Sequence, residues 1–313
     1  MTPDLIVGLI ALTVLFTLEG ALPFYPDRAR RDRYTHGLRN GTLMLINGAI
    51  SALLVPLVLG AVALAASHQF GLGRWLAVAL ADAGWGGPAL VTAVVTVVAI
   101  LAFDLWMYVW HRANHRIPLL WRFHQVHHTD TAMDSTTALR FHPGELVLST
   151  LFNLPVLVLL GLTLNQFVLY KASMLLVILF HHSNVRVPDD WDRRLRAVIV
   201  PPSLHRVHHS RIRRETDSNY GTIFSFWDRL FGSFRLRPDV AAIRFGTGHH
   251  DSAPWQSPWR LLLLPLQAPA PGRATDEAPP EAAPESPPEA PPESPPEALA
   301  GPSAAPVAEV RQR

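Results

Sequence analysis

The sequence contains no cysteine. That excludes disulfide frameworks, thiolate zinc sites, iron–sulfur clusters and thiol nucleophiles, and leaves the redox compartment unreadable. Lysine is almost absent too, with Lys171 alone among 313 residues, so nearly every positive charge is an arginine. Charged residues make up 17% of the chain, against about a quarter in soluble domains. Mean hydropathy is +0.18, and an ordinary soluble globule is thereby excluded. The formal charge of +2 hides two opposed parts, because beyond Gln267 three arginines face eight acids.

Long apolar runs take the place of the missing charge. Residues 3–25 are broken only by Asp4 and Glu19, 41–66 carry no charge, and 88–110 carry one, Asp104. Each is long enough to cross a bilayer as one helix. The first could be a cleaved leader, but it lacks a basic n-region and a clear small-x-small site, so a retained span is expected. Two shorter apolar segments, 144–161 and 166–180, are separated by Leu162–Asn165. They predict a helical hairpin that enters and leaves on one side. Arg28, Arg30, Arg31, Arg33 and Arg39 follow the first span, whereas the 67–87 connection holds only Arg74. By the positive-inside rule the first loop is cytoplasmic, the 67–87 loop lies outside, and 111–143 and 181–260 return to the cytoplasm. The Asn40-Gly-Thr sequon then faces the wrong side and is expected to be silent. Beyond Pro265 proline, glutamate and small residues repeat with nothing to bury, which predicts a disordered acidic tail.

Histidine is the excess. Fifteen occur, most of them in tight groups. His111 and His115 stand four apart at the end of the third run, on one helical stripe with Asp104 and Tyr108. His124, His127 and His128 repeat at i, i+3 and i+4, as do His205, His208 and His209, with His181 and His182 between. Imidazole without thiolate suits zinc, copper, iron or nickel. Eight to ten ligands exceed what one ion takes and point to two. No HExxH is present to supply a metalloprotease base. A metal transporter would place its ligands inside the spans near the midplane, whereas these follow the apolar runs.

The order HxxxH, HxxHH, HxxHH resembles the membrane-bound fatty acid hydroxylase and sterol desaturase superfamily. The surrounding words are similar as well: DxxxYxxHRxxH from Asp104, WRFHQVHH from Trp121, RFHPGE from Arg140 to Glu145, HHSN, then NYG and FWDRLFGS up to Ser233, where the family usually has threonine. The likeness covers about 95–235.

The resemblance implies an all-α integral membrane protein, with about four to five transmembrane or re-entrant helices and a cytoplasmic histidine-rich helical cap holding a di-metal site. It implies two iron ions and O2 as co-substrate, in an iron-dependent oxidoreductase that hydroxylates or desaturates a lipid C–H bond. The implied ligands are His111, His115, His124, His127, His128, His205, His208 and His209, completed by His181 or His182. Asp104, His142, Asp217 and Asp228 are candidates to support ligands or balance charge, Asp228 equally for bonding within its own turn. His36, His68, His249 and His250 fall outside the pattern and are expected at solvated or interfacial positions. Partners would be a lipid substrate, the membrane and a separate electron-donor protein (ferredoxin, cytochrome b5-like or reductase), with no nucleic acid. The expected division is a transmembrane region 1–87, a catalytic domain 88–265 and the tail 266–313, in a bacterial inner membrane with the tail cytoplasmic. Histidine richness alone would also permit a non-enzymatic metal-binding or transport protein.

Overall fold

A computed structural model describes residues 3–26 and 32–267, with side chains from Ile6. Arg28, Arg30, Arg31 and all but the first two residues of the tail lie outside the described residues. The rest is helical: α1 (Pro3–Ala21), α2 (Arg33–Ser67), α3 (Leu72–Asp82), α4 (Pro88–Arg116), α5 (Pro118–His128), α6 (Pro143–Leu160) and α7 (Leu164–His182). Short helices follow, among them α8 (Asp189–Leu195), α9 (Pro202–His208) and α10 (Arg213–Thr216). Among the described residues β structure is limited to isolated bridges.

Four segments are long and apolar enough to span a membrane, namely Arg33–Asp82, α4, α6 and α7. The apolar part of α1, Ile6–Ala21, is shorter. Their outward faces carry large hydrophobics such as Leu45 (71% exposed) and Leu53 (78% exposed). Exposed apolar surface on this scale is tolerable only in lipid or against a partner. Between α6 and α7 the hairpin is closed by Gly161 in the left-handed conformation and by Thr163, whose hydroxyl accepts the Gln166 amide. Gly71 (φ +121°) crosses Gly161 so closely that a Cβ on it would sit 2.3 Å from the Gly161 Cα. No side chain fits at that crossing.

Three expectations need correction. The 67–87 connection is not a plain loop but holds α3, an amphipathic helix packed on α4 and α6. And α2 begins well before residue 41: 35 residues rise ~52 Å, far more than the ~30 Å of hydrocarbon. Its first turns therefore stand among the cap residues. There His36 offers Nε2 to Asp130 and Nδ1 to Asp134, each at 2.9 Å, so it is a clamped ion-pair partner and no solvated side chain. Asn40 is fully buried, donating to the Thr136 hydroxyl at 3.0 Å. Its sequon is thus closed by packing, on either side of a membrane. Glu19, which interrupts the first apolar run, is buried and accepts the amides of Ser135 (2.7 Å) and Asn184 (2.8 Å). It fastens the end of α1 to the end of α7.

Asp104 lies in a core formed by α4, α6, α7 and the 223–227 segment. It accepts from the Tyr170 hydroxyl (2.9 Å), the amides of Ile223 and Phe224 (3.3 and 3.2 Å) and the Trp227 indole (3.0 Å). None of these partners is a histidine.

Candidate metal centre

The ends of α4, α5, α7 and α9 bring the histidine boxes together. Proline at the first turn of α5 and of α9 starts each helix where a backbone N–H would lack a partner. The i, i+3, i+4 spacing then aims each trio at one side. Two sets of ring nitrogens result, each within 4.8 Å of one another: His111, His115, His124, His128 and His208, and separately His127, His182, His205 and His209. All but His111 are buried. The two sets touch where His128 stacks on His209 at 4.4 Å between ring centroids.

His181 belongs to neither set. Its ring stacks on His205 at 3.8 Å, while His182 points Nε2 at His127 (3.0 Å) and His205 (2.9 Å). One residue further along a helix is a turn of ~100°, enough to take the second imidazole of the pair into the set and keep the first out.

Oxygen acceptors fix the ring orientations. His111 Nδ1 donates to the Tyr220 carbonyl (2.9 Å), His208 Nδ1 to that of Ser218 (2.7 Å), His182 Nδ1 to that of Ile178 (2.7 Å) and His124 Nδ1 to Glu145 Oε1 (2.8 Å). A carbonyl or carboxylate can only accept, so Nδ1 carries the proton and Nε2 presents a bare lone pair. The Nε2 atoms of His124 and His208 and both ring nitrogens of His128 and His209 are buried with no hydrogen-bond partner. Each such orphan costs about 1–3 kcal/mol, and a cluster of them on converging lone pairs is what a cation relieves. Five and four neutral nitrogens suit two borderline transition-metal ions.

Burial, reinforced by neighbouring imidazoles, holds His127, His128, His205 and His209 well below the ordinary histidine value and takes His208 down to about 3. These five rings are therefore already deprotonated at neutral pH. For a histidine with a depressed folded value, the unfolded chain binds the extra proton, so stability is full above the unfolded value near 6.5 and is lost as pH falls toward the folded value. Each group contributes a slope of up to about 1.4 kcal/mol per pH unit in that window. Metal-free protein is expected to melt progressively lower from pH 6.5 to 5, and calorimetry across that range tests this.

Of the candidate supporting residues, Asp217 lies 3.6 Å from His115 Nδ1. Asp228 touches no ligand; it accepts the amides of Tyr220 (2.7 Å) and Gly221 (2.8 Å) and the Ser233 hydroxyl (2.7 Å). It thereby fixes the carbonyl to which His111 donates, which is the turn-bonding role. His142 accepts the Gly144 amide as the N-cap of α6, and its Nε2 meets the Leu262 carbonyl; it is packing. Asp104, bonded within the core, supports no ligand. Glu145 is the residue the spacing did not single out. Glu145→Gln is expected to weaken metal binding about 10–100-fold with little change in the thermal midpoint, read by chelator competition.

Residues 96–233 match the family model for fatty acid hydroxylase. Alkylglycerol monooxygenase of Danio rerio is 33% identical over 151 residues, covering 48% of this chain and 32% of that protein. Ornithine lipid hydroxylase OlsE of Rhizobium tropici is 32% identical over 154 residues (48% and 44%). Cholesterol 25-hydroxylase of Rattus norvegicus is 25% identical over 152 residues (45% and 47%). The matched part thus spans less than half the length of these relatives. No solved structure matches.

Proposed function

We propose, from the premise that residues 96–233 form a fatty acid hydroxylase domain, that this protein is a membrane-bound di-iron monooxygenase acting on a lipid. The observation that carries the reading is the pair of histidine sets at the ends of apolar helices. The balance is R–H + O2 + 2e− + 2H+ giving R–OH + H2O. Two irons, when bound, supply the electrons that reduce O2 and the oxidising power to break an aliphatic C–H bond.

The chain's own residues do the rest. His111, His115, His124, His128 and His208 hold one ion and His127, His182, His205 and His209 the other. The carbonyls of Ile178, Ser218 and Tyr220 and the Glu145 carboxylate keep four of these rings turned inward. Burial excludes bulk water, so an oxidising site is not quenched by solvent. The 29 residues of α4 rise ~44 Å, so its last turns, bearing His111 and His115, emerge from ~30 Å of hydrocarbon. A lipid carbon near the headgroup boundary is what such a site would meet. Hydroxylation is favoured over desaturation because the relatives are named hydroxylases or monooxygenases, and their three different lipids leave the class at lipid.

The arginines between α1 and α2 favour a cytoplasmic cap. A reporter inserted at Gly86 is expected to be exported, and one after His249 retained. Iron-loaded protein with a reductant, a broad lipid panel and 18O2 should incorporate label into one lipid class. Metal uptake by liposomes, lost in His127→Ala, together with no labelled lipid, would favour the transport reading.

A further inference from the structure

The Tyr220 ring stands edge-on over three imidazoles of the five-histidine set, with centroids 5.8 Å from His111, 5.2 Å from His115 and 5.8 Å from His208. Its buried phenol feels the charges of Asp217, Arg116 and Arg112. Asp217 in turn lies 3.6 Å from His115 Nδ1 and 3.6 Å from Arg213 Nε. Arg112, Arg116 and Arg213 thus gather over the edge of one metal set, and Arg116 and Arg213 are exposed. Residues 105–129 and 205–214 contain no acid, and Glu215 is paired with Arg237, so Asp217 alone stands against these three arginines and the surface keeps an excess of positive charge.

The geometry points to the Arg112–Arg116–Arg213 surface as the docking face of an acidic one-electron carrier protein, with electrons entering at the five-histidine set past Tyr220 and Asp217. This rests on the di-iron reading above. Each encounter would pass one electron, the carrier's centre being oxidised by one and an iron held by the five-histidine set being reduced by one. Two encounters supply the two electrons that O2 needs beyond the two taken from the C–H bond. Opposite charge steers such encounters, and electron transfer falls steeply with distance, so a carrier gains most by docking where ligands come nearest the surface. An anionic membrane surface would also meet arginines, but it has no use for an aromatic ring bridging them to the ligands.

The test uses iron-loaded full-length protein in phosphatidylcholine nanodiscs, mixed anaerobically with reduced plant-type ferredoxin as the acidic probe. The visible absorbance of ferredoxin reports its oxidation. Photoreduction with deazaflavin, which requires no docking, is the control. Arg116→Gln/Arg213→Gln is expected to retain its iron and take up the same electrons from deazaflavin. Its rate with ferredoxin should fall about tenfold at low salt and lose most of its ionic-strength dependence. Equal rates and salt slopes for wild type and variant would overturn the proposal, as would loss of iron in the variant. A defect that appears only when phosphatidylglycerol is added to the discs would assign the arginines to lipid headgroups instead. Wild-type protein that accepts no electrons from deazaflavin would count against the metal reading, not against the surface.

Discussion

His182→Ala is expected to abolish lipid-dependent oxygen uptake and to lower bound iron from two per chain to one, while His181→Ala, one residue earlier, keeps both. His182 is held by the Ile178 carbonyl with Nε2 converging on His127 and His205, so its loss leaves its set with three nitrogens. Removing His181 takes away a ring stacked on His205 and opens a small void, at a cost of about 1–2 kcal/mol. Iron analysis with thermal melts of both variants separates ligation from packing. Equal iron loss in the two would mean that the helix register at the end of α7 is not as described.

The second large effect is expected at Arg140, which heads the large fully buried side chains among the described residues. Its guanidinium donates to the Val126 carbonyl (3.0 Å), Asn40 Oδ1 (3.2 Å), the Thr129 hydroxyl (2.9 Å) and Gln256 Oε1 (2.9 Å). These partners lie on α2, around the end of α5 and in the 253–256 turn, so one group joins three parts of the chain. Arg140→Met fills much of the volume but strands the acceptors and removes the positive charge near Asp130. Burial alone would raise that carboxyl, but His36, helped by Arg140, outweighs it and holds the group far below its usual range. Breaking such a network costs about 3–5 kcal/mol, a fall of roughly 10 °C in the melting midpoint. Gln256→Ala, which removes one arm, should lose about 1 kcal/mol. Similar midpoints for Arg140→Met and wild type would show that the network is dispensable.

Much of the site was legible because its geometry is local. Three imidazoles at i, i+3 and i+4 must share a helix face, and the apolar runs and the hairpin turn can be read from composition alone. What escaped is long-range or axial. Glu145 reaches His124 across 21 residues, and His36 finds Asp130 across 94; no spacing rule links such pairs. Asp104 does share a stripe with His111, but seven residues separate them by ~10 Å along the axis, too far for a carboxylate to touch the ring. The α3 helix has only 11 residues and carries Arg74 and Asp82 at its ends, so a reading that looks for runs of spanning length takes it for a connection. The doubled histidine could be resolved only by rotation about α7, which sequence does not carry.

Because α5 and α9 each give residues to both histidine sets, while α4 serves only the first and α7 only the second, ordering either set also orders much of the other. Whichever ion arrives first meets the whole cost of immobilising the shared helices, and the next finds them already in place. Loading should then be positively cooperative, with singly loaded chains scarce even at half saturation. A cell short of iron would hold a mixture of complete and empty protein, with little of anything between.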